Sequence, residues 1–96
     1  MSYRTILESP AKSDLAALPR PLQLVVRSEL RRLAGSPVTL SRPAVFPYPP
    51  GSQLYHFHHD PGGDTWHHFV VLFRYGQDEA TLHIIGIGHV EYDRET

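Results

Sequence analysis

The chain has no cysteine. That excludes a disulfide framework and any thiolate metal site. It has no run of about 18 apolar residues, so no stretch reads as a membrane-crossing helix. The opening Met1-Ser2-Tyr3-Arg4 lacks the apolar core of a secretory signal. These absences lead to the expectation of a cytoplasmic protein with no membrane partner. Cations are also scarce in one region. Arg4, Lys12, Arg20, Arg27, Arg31, Arg32, Arg42 and Arg94 all lie outside residues 54–92, and only Arg74 lies inside. The formal net charge is −1 with histidine neutral. That argues against broad nucleic-acid binding, which rests on lysine and arginine neutralising phosphates. No repeat is visible, and 96 residues make one domain, 1–96, with a small core. The hydrophobic fraction of 41% suits a globule rather than a disordered tail.

What the chain holds in abundance is histidine, all in one stretch. Leu54 to Tyr92 contains His56, His58, His59, His67, His68, His83 and His89, the only tryptophan, Trp66, and three of the five tyrosines. Its pattern is strand, turn, strand, turn, strand. Asp60-Pro61-Gly62-Gly63-Asp64 is a turn, because proline sets one φ and glycine permits positive φ. Gly76-Gln77-Asp78-Glu79 is the second turn. Phe69–Tyr75 and Leu82–Ile87 are rich in β-branched and aromatic residues, as strands prefer. A three-stranded antiparallel meander over 53–92 is the expectation. Histidine titrates near pH 6.5, so this sheet can become more cationic beside an anion than its formal charge suggests.

The segment before the meander reads as its support. Tyr3, Thr5 and Leu7 alternate along a first strand at 3–8. Ser9-Pro10 reads as a helix start, with serine as cap. Ala11, Leu15 and Leu18 then mark one helical face. Pro19-Arg20-Pro21 interrupts, and a second helix runs from about Pro21 to Ala34. Leu22, Val26, Leu30 and Leu33 form its apolar stripe, widened by Leu24 and Val25. Gly35 is expected just past its end, with Pro37 preventing continuation. The helical hairpin at 10–34 should pack on one face of the sheet. Residues 36–52 form a proline-rich connection, unsuited to a central strand, with Phe46 and Tyr48 expected to pin it to the body. Residues 94–96 are expected to fray.

Spread over residues 3 to 93 are motifs that resemble those of the RelE/ParE superfamily of type II toxin–antitoxin toxins. Ser9-Pro10-Ala11-Lys12-Ser13-Asp14-Leu15-Ala16-Ala17-Leu18-Pro19 is similar to the family's first helix. Arg74-Tyr75 before an acidic turn resembles its third strand and hairpin. Gly88-His89, with Tyr92 after it, resembles the family's Gly-His-Arg close, although Val90 stands where the arginine would be. The basic residues of RelE-type ribonucleases are nearly absent from the central strands, and histidine stands there instead. In this the chain looks more like the YafQ branch. That resemblance implies an α+β fold of order β-α-α-β-β-β: an antiparallel sheet with a two-helix hairpin on one face. It implies a toxin of the plasmid-stabilisation kind that binds mRNA on the ribosome and cleaves it, or, in the ParE branch, inhibits DNA gyrase. It implies a cognate antitoxin that wraps the toxin. It puts His58 or His59, Asp64, Trp66, His89 and Tyr92 in the active-site role.

The residues themselves support a similar chemistry. Cleavage of RNA without metal or cofactor needs a base for the 2′-OH proton, an acid for the leaving oxygen and a cation for the phosphorane. Two histidines can supply the first two and Arg74 the third. His56 and His58 share one strand face. Pairing symmetric about Gly62 sets His56 opposite His68 and His58 opposite Trp66, with Val70, Leu72 and Arg74 on the same face. His83 and His89 are expected to share a face with Ile85 and Ile87. A one-residue change of register moves every side chain to the other side. His89, three residues before Tyr92, is expected to share a groove with it as the acid or base, with Tyr92 positioning RNA. Trp66, His56 and His68 complete the candidate RNA-binding set. Structural readings stand beside these: Trp66 as a packing residue, His67 and His68 as ordinary strand residues, His59 as a turn residue. His56-x-His58 with a third histidine also fits a zinc site, with Asp60 or Asp64 as outer hydrogen-bonding partner. Gly86-Ile87-Gly88 is no phosphate loop, and reads as room for a helix or a partner chain to approach. Arg27, Arg31 and Arg32 read as a solvated helix face, or as the site of an acidic partner or a phosphate backbone. A non-catalytic binding protein of the same fold is the second reading.

Overall fold

The computed structural model describes residues 2–94. Strand β1 (Arg4–Leu7) leads into helices α1 (Ser9–Ala16) and α2 (Arg20–Gly35) and a single helical turn, α3 (Pro37–Leu40). Then come β2 (Arg42–Pro43), β3 (Ser52–His59), β4 (Thr65–Tyr75) and β5 (Thr81–Asp93). They form one sheet in the order β1-β5-β4-β3-β2. Only β1 against β5 is parallel among these pairs. The α+β architecture expected from the sequence is present, with β1 and β2 added at the two edges of the meander.

The helices bury the stripe that their periodicity marks. Ala11, Leu15, Leu22, Val26, Leu30 and Leu33 are buried, while Leu18 is only partly so. Against them the sheet presents Tyr55, Phe57, Phe69, Val71, Phe73, Leu82, Ile84 and Ile87. Phe57 stacks on Phe69 with ring centroids 4.9 Å apart. The helices and core side chains thus occupy one face of the sheet and leave the other open. No helix among the described residues is long and apolar enough to cross a membrane.

Several local expectations are corrected. Ser9 does not cap α1; it is the first helical residue, and Glu8 is at the cap. The reason is tertiary: the Glu8 N–H donates to Ile84 O on β5 at 2.9 Å, which holds the cap position at the strand's end. Gly35 is the last residue of α2 rather than a left-handed stop, and Ser36 follows with φ −152°. The residue before a proline is pushed out of the helical region, and Pro37 opens α3 at once. The proline-rich connection is partly regular. Its Pro43 lies on a two-residue edge strand, where a missing N–H is tolerated. Phe46 does not pin the loop, being 93% exposed, whereas Tyr48, 41% exposed, lines a hollow with Leu54, Val70 and Leu72 of the sheet. Buried Pro37 and partly buried Leu40 attach the start of the connection. At the C-terminus Arg94 is not frayed: its N–H donates to Asp64 O at 2.7 Å and its Nε to Gly63 O at 2.8 Å. Residues 95–96 lie outside the described residues.

Candidate functional site

The hairpin β3–β4 pairs His56 with Val70, Phe57 with Phe69, His58 with His68 and His59 with His67. This is slipped by two residues from pairing symmetric about Gly62, so His58 faces His68 and not Trp66. A slip of two preserves faces. Tyr55, Phe57 and Phe69 are buried under the helices, so His56, His58, Trp66 and His68 project from the open face. Across β5, Trp66 pairs with Tyr92 and His68 with Val90, which brings Tyr92 to the same end.

The geometry there is close. The His58 and His68 rings are 4.7 Å apart by centroid, and those of His56 and His68 5.3 Å. His56 Nδ1 is 3.2 Å from His68 Nε2, so one ring donates its N–H to the lone pair of the other. The edge of one ring meets the plane of the other between His58 and Trp66, 5.5 Å apart. Trp66 stacks on Tyr92 at 4.4 Å with planes 15° apart. Burial pushes the His56 pKa below its ordinary value, and His68, Arg42 and His58 push it the same way. His56 is therefore a neutral imidazole at neutral pH, able to accept a proton. Arg42 is the cation that sequence reasoning missed. It pairs with Leu54 across β2–β3, on the open face beside His56. Its only signal was a lone arginine before Pro43, at a strand edge too short to read.

His89 is not in this group. It pairs with Phe69, on the helix side of the sheet, and stacks on that ring at 4.7 Å. Its Nε2 is 2.9 Å from Nδ1 of His67, which is only 6% exposed. The His59 ring stacks on the other side of His67 at 6.1 Å. Burial lowers the His89 pKa and so does His67, against a smaller upward pull from Glu91. The expected shared groove of His89 and Tyr92 is overturned by strand geometry, since an offset of three residues points two side chains to opposite faces. The expected common face of His83 and His89 fails for a second reason. A bulge opposite Leu72 and Phe73 leaves Ile85 unpaired and breaks the alternation along β5. His83 thus faces the open side with Arg74, and His89 lies beneath.

Arg74 is also elsewhere. It is six residues along β4 from His68, about 20 Å at the rise of a strand. Its NH2 lies 3.3 Å from Glu8 Oε1, and His83 Nδ1 lies 3.7 Å from the same oxygen. Asp64 sits exposed in the turn, where its carbonyl receives Arg94. The side chain that orders this turn is Asp60, which accepts from the Gly62 N–H at 2.9 Å and pairs with Arg94. The hydrogen bond from Arg94 holds the Asp60 carboxyl below its usual range. Among the described residues no three histidine, aspartate or glutamate side chains are grouped to hold a metal, so the three-histidine zinc arrangement is not formed. Gly88 is spaced for a neighbouring strand rather than a helix: an added Cβ would lie 2.8 Å from Val70 Cγ1. The helix approaches at Gly86 instead, where Asp14 of α1 accepts the Ile87 N–H at 2.9 Å.

No protein-family profile matches the sequence, and no curated protein matches it. Solved structures do. The RelBE2 toxin–antitoxin complex of Mycobacterium tuberculosis contains a chain that superposes with a TM-score of 0.69 at 22% identity, over 94% of this chain and all of that one (100%). A mutant of the Escherichia coli toxin RelE in the free state gives 0.62 at 12% identity, over 92% of this chain and 83% of that one. The intact Escherichia coli RelBE toxin–antitoxin complex gives 0.61 at 12% identity, over 91% and 95%. The fold of this chain, one strand, then helices, then the remaining strands of a mostly antiparallel five-stranded sheet, is that of the RelE-like structures.

Proposed function

We propose that this chain is the toxin of a type II toxin–antitoxin pair and that it cleaves mRNA at the open-face histidine cluster, on the ribosome and without a metal. The observation that carries this reading is the contact of three imidazoles, His56, His58 and His68, beside the stacked pair Trp66 and Tyr92. Neutral His56 takes the proton of a 2′-OH. The 2′-oxygen attacks the adjacent phosphorus, the bond from phosphorus to the 5′-oxygen breaks, and a protonated imidazole of the cluster gives that oxygen its proton. Arg42 steadies the charge that develops on the phosphorane. Tyr92 has one face covered by Trp66 and is 42% exposed, so a nucleobase can stack on its outer side. The use of histidine in place of arginine and lysine is what aligns this reading with the YafQ branch. His89, Arg74 and Asp64 have no part in proton transfer here; His89 supports the hairpin from below. The cognate antitoxin is the expected partner.

One observation favours a non-catalytic alternative. Val90, opposite His68, is 49% exposed and puts an apolar group where a cation would help an RNA enzyme. Induced expression separates the two. The enzyme reading expects growth arrest, mRNA ends mapped by primer extension, and loss of cleavage by about 10²–10⁴ in His58→Ala or His68→Ala. Arrest with intact mRNA and altered DNA supercoiling would assign a gyrase inhibitor. Normal growth with neither change would overturn the toxin reading.

A further inference from the structure

Past the histidine cluster the open face runs on into a hollow that the proton transfers do not use. Along β4, Trp66, His68 and Val70 follow one another at intervals of two residues, about 7 Å at the rise of a strand. On one side of His68, Trp66 carries the stacked ring of Tyr92. On the other, Val70 lies between His56 of β3 and Gly88 of β5. There a hollow of about 250 Å³ crosses the three strands. Leu54, Val70 and Leu72 give it an apolar floor, and Gly86 and Gly88 put no side chain into it. A Cβ at Gly86 would stand 3.7 Å from Asp14 Oδ2. Tyr48 and Asp14 complete the lining. Asp14 is the one charged group there. It accepts the Ile87 N–H through Oδ2 and enters no ion pair among the described residues.

We infer that this hollow seats a guanine base next to the scissile phosphate, on the side away from Tyr92, and that Asp14 selects it. The inference rests on the RNA-cleaving reading of the open face and adds the base that it prefers. His56 and His68 then act on a phosphate flanked by one base stacked on Tyr92 and another in the hollow. A planar base laid on Leu54, Val70 and Leu72 covers apolar surface with its face and turns its edge toward Asp14. Guanine alone of the four bases has two adjacent donors on that edge, N1–H and an N2 amino hydrogen, which match a carboxylate. Adenine and cytosine set a ring-nitrogen lone pair beside their one amino group, and uracil flanks its N–H with two carbonyls. Each of these turns a lone pair toward the carboxylate. The ring of Tyr92 accepts any base, because every base has a π-face. Selection therefore falls to the hollow. Arg42 of β2 lies three strands from β5, so the cation and the carboxylate stand at opposite sides of the face, one toward phosphate and one toward base.

The test uses the intact protein and the 2′-O-methyl trinucleotides UGU, UAU, UCU and UUU, which lack the attacking hydroxyl and so report binding without cleavage. By NMR titration UGU should bind about tenfold more tightly than the other three, with shifts at the Val70, Gly86 and Gly88 amides. Replacing its guanine by hypoxanthine removes the N2 amino group and should cost most of that tenfold. This comparison needs no variant to fold. Asp14→Asn keeps an oxygen for the Ile87 N–H and loses the match to two donors, so it should bind UGU no better than UAU, with a thermal melt beside it. Equal binding of the four, or of none, would overturn the inference. So would a preference for UGU that survives the loss of the amino group, or shifts that leave out Gly86 and Gly88. Tight binding of UGU without mRNA cleavage in cells would keep the subsite and refute the reaction. Cleavage of mRNA with equal binding of the four would do the reverse.

Discussion

Two histidines on opposite faces of the same hairpin should respond oppositely to removal. His67 is 6% exposed, its Nδ1 is 2.9 Å from His89 Nε2, and its ring lies between those of His59 and His89. His67→Ala leaves the His89 nitrogen without its partner in a partly buried site, which costs about 1–3 kcal/mol. It also opens a void under the hairpin, and a helix-side ring lost from such a site adds on the order of a further 1 kcal/mol or more. The sum is about 2–4 kcal/mol. In a domain of this size that lowers the melting temperature by roughly 10–20 °C. His56→Ala removes an exposed ring whose one side-chain hydrogen bond among the described residues is to another histidine of the open face. It should change stability by no more than about 0.5 kcal/mol, as surface substitutions do. Under the proposed function it should instead lower RNA cleavage, because it removes the imidazole assigned there as the base. Thermal melts followed by circular dichroism, with cleavage assayed on the same samples, give both quantities. Equal melting temperatures for the two variants would refute the division of the histidines into a supporting and a reactive group.

Acid should destabilise the hairpin in a defined window. His56 and His89 have pKa values below their ordinary 6.5, both chiefly through burial. A histidine held lower in the folded state binds fewer protons there than when unfolded, so its stabilising contribution is whole above pH 6.5 and lost as pH falls through the folded value. Melts from about pH 8 to about pH 5 should show this decline, and His89→Gln should flatten it; an unchanged slope would refute the cause. Gly88→Ala puts a Cβ 2.8 Å from Val70 Cγ1 and should destabilise by about 1–3 kcal/mol. Val70→Ala in the same chain should recover most of that, and a chemical-denaturation series that finds the two substitutions additive would show that the clash is not their link.

The sequence by itself determined whatever depends on near neighbours. Helical periodicity marked Leu22, Val26, Leu30 and Leu33, and these are the residues buried. The turns at 60–64 and 76–79 followed from glycine and proline chemistry, and strands begin and end around them. The common face of His56, His58 and His68 was also legible. Alternation has period two, so even a pairing slipped by two residues kept those rings together. Tertiary structure decided the rest, wherever two distant segments meet. The bulge at Ile85 separates His83 from His89, and it arises where β5 passes between β4 and the first strand and helix. Arg74 lies about 20 Å along β4 from His68, and packing decided its partner, Glu8, 66 residues away. Arg42 entered because a two-residue strand joins the sheet's far edge. Ion pairs and edge strands of this kind depend on which surfaces the packed core brings together, and no local pattern of residues encodes that.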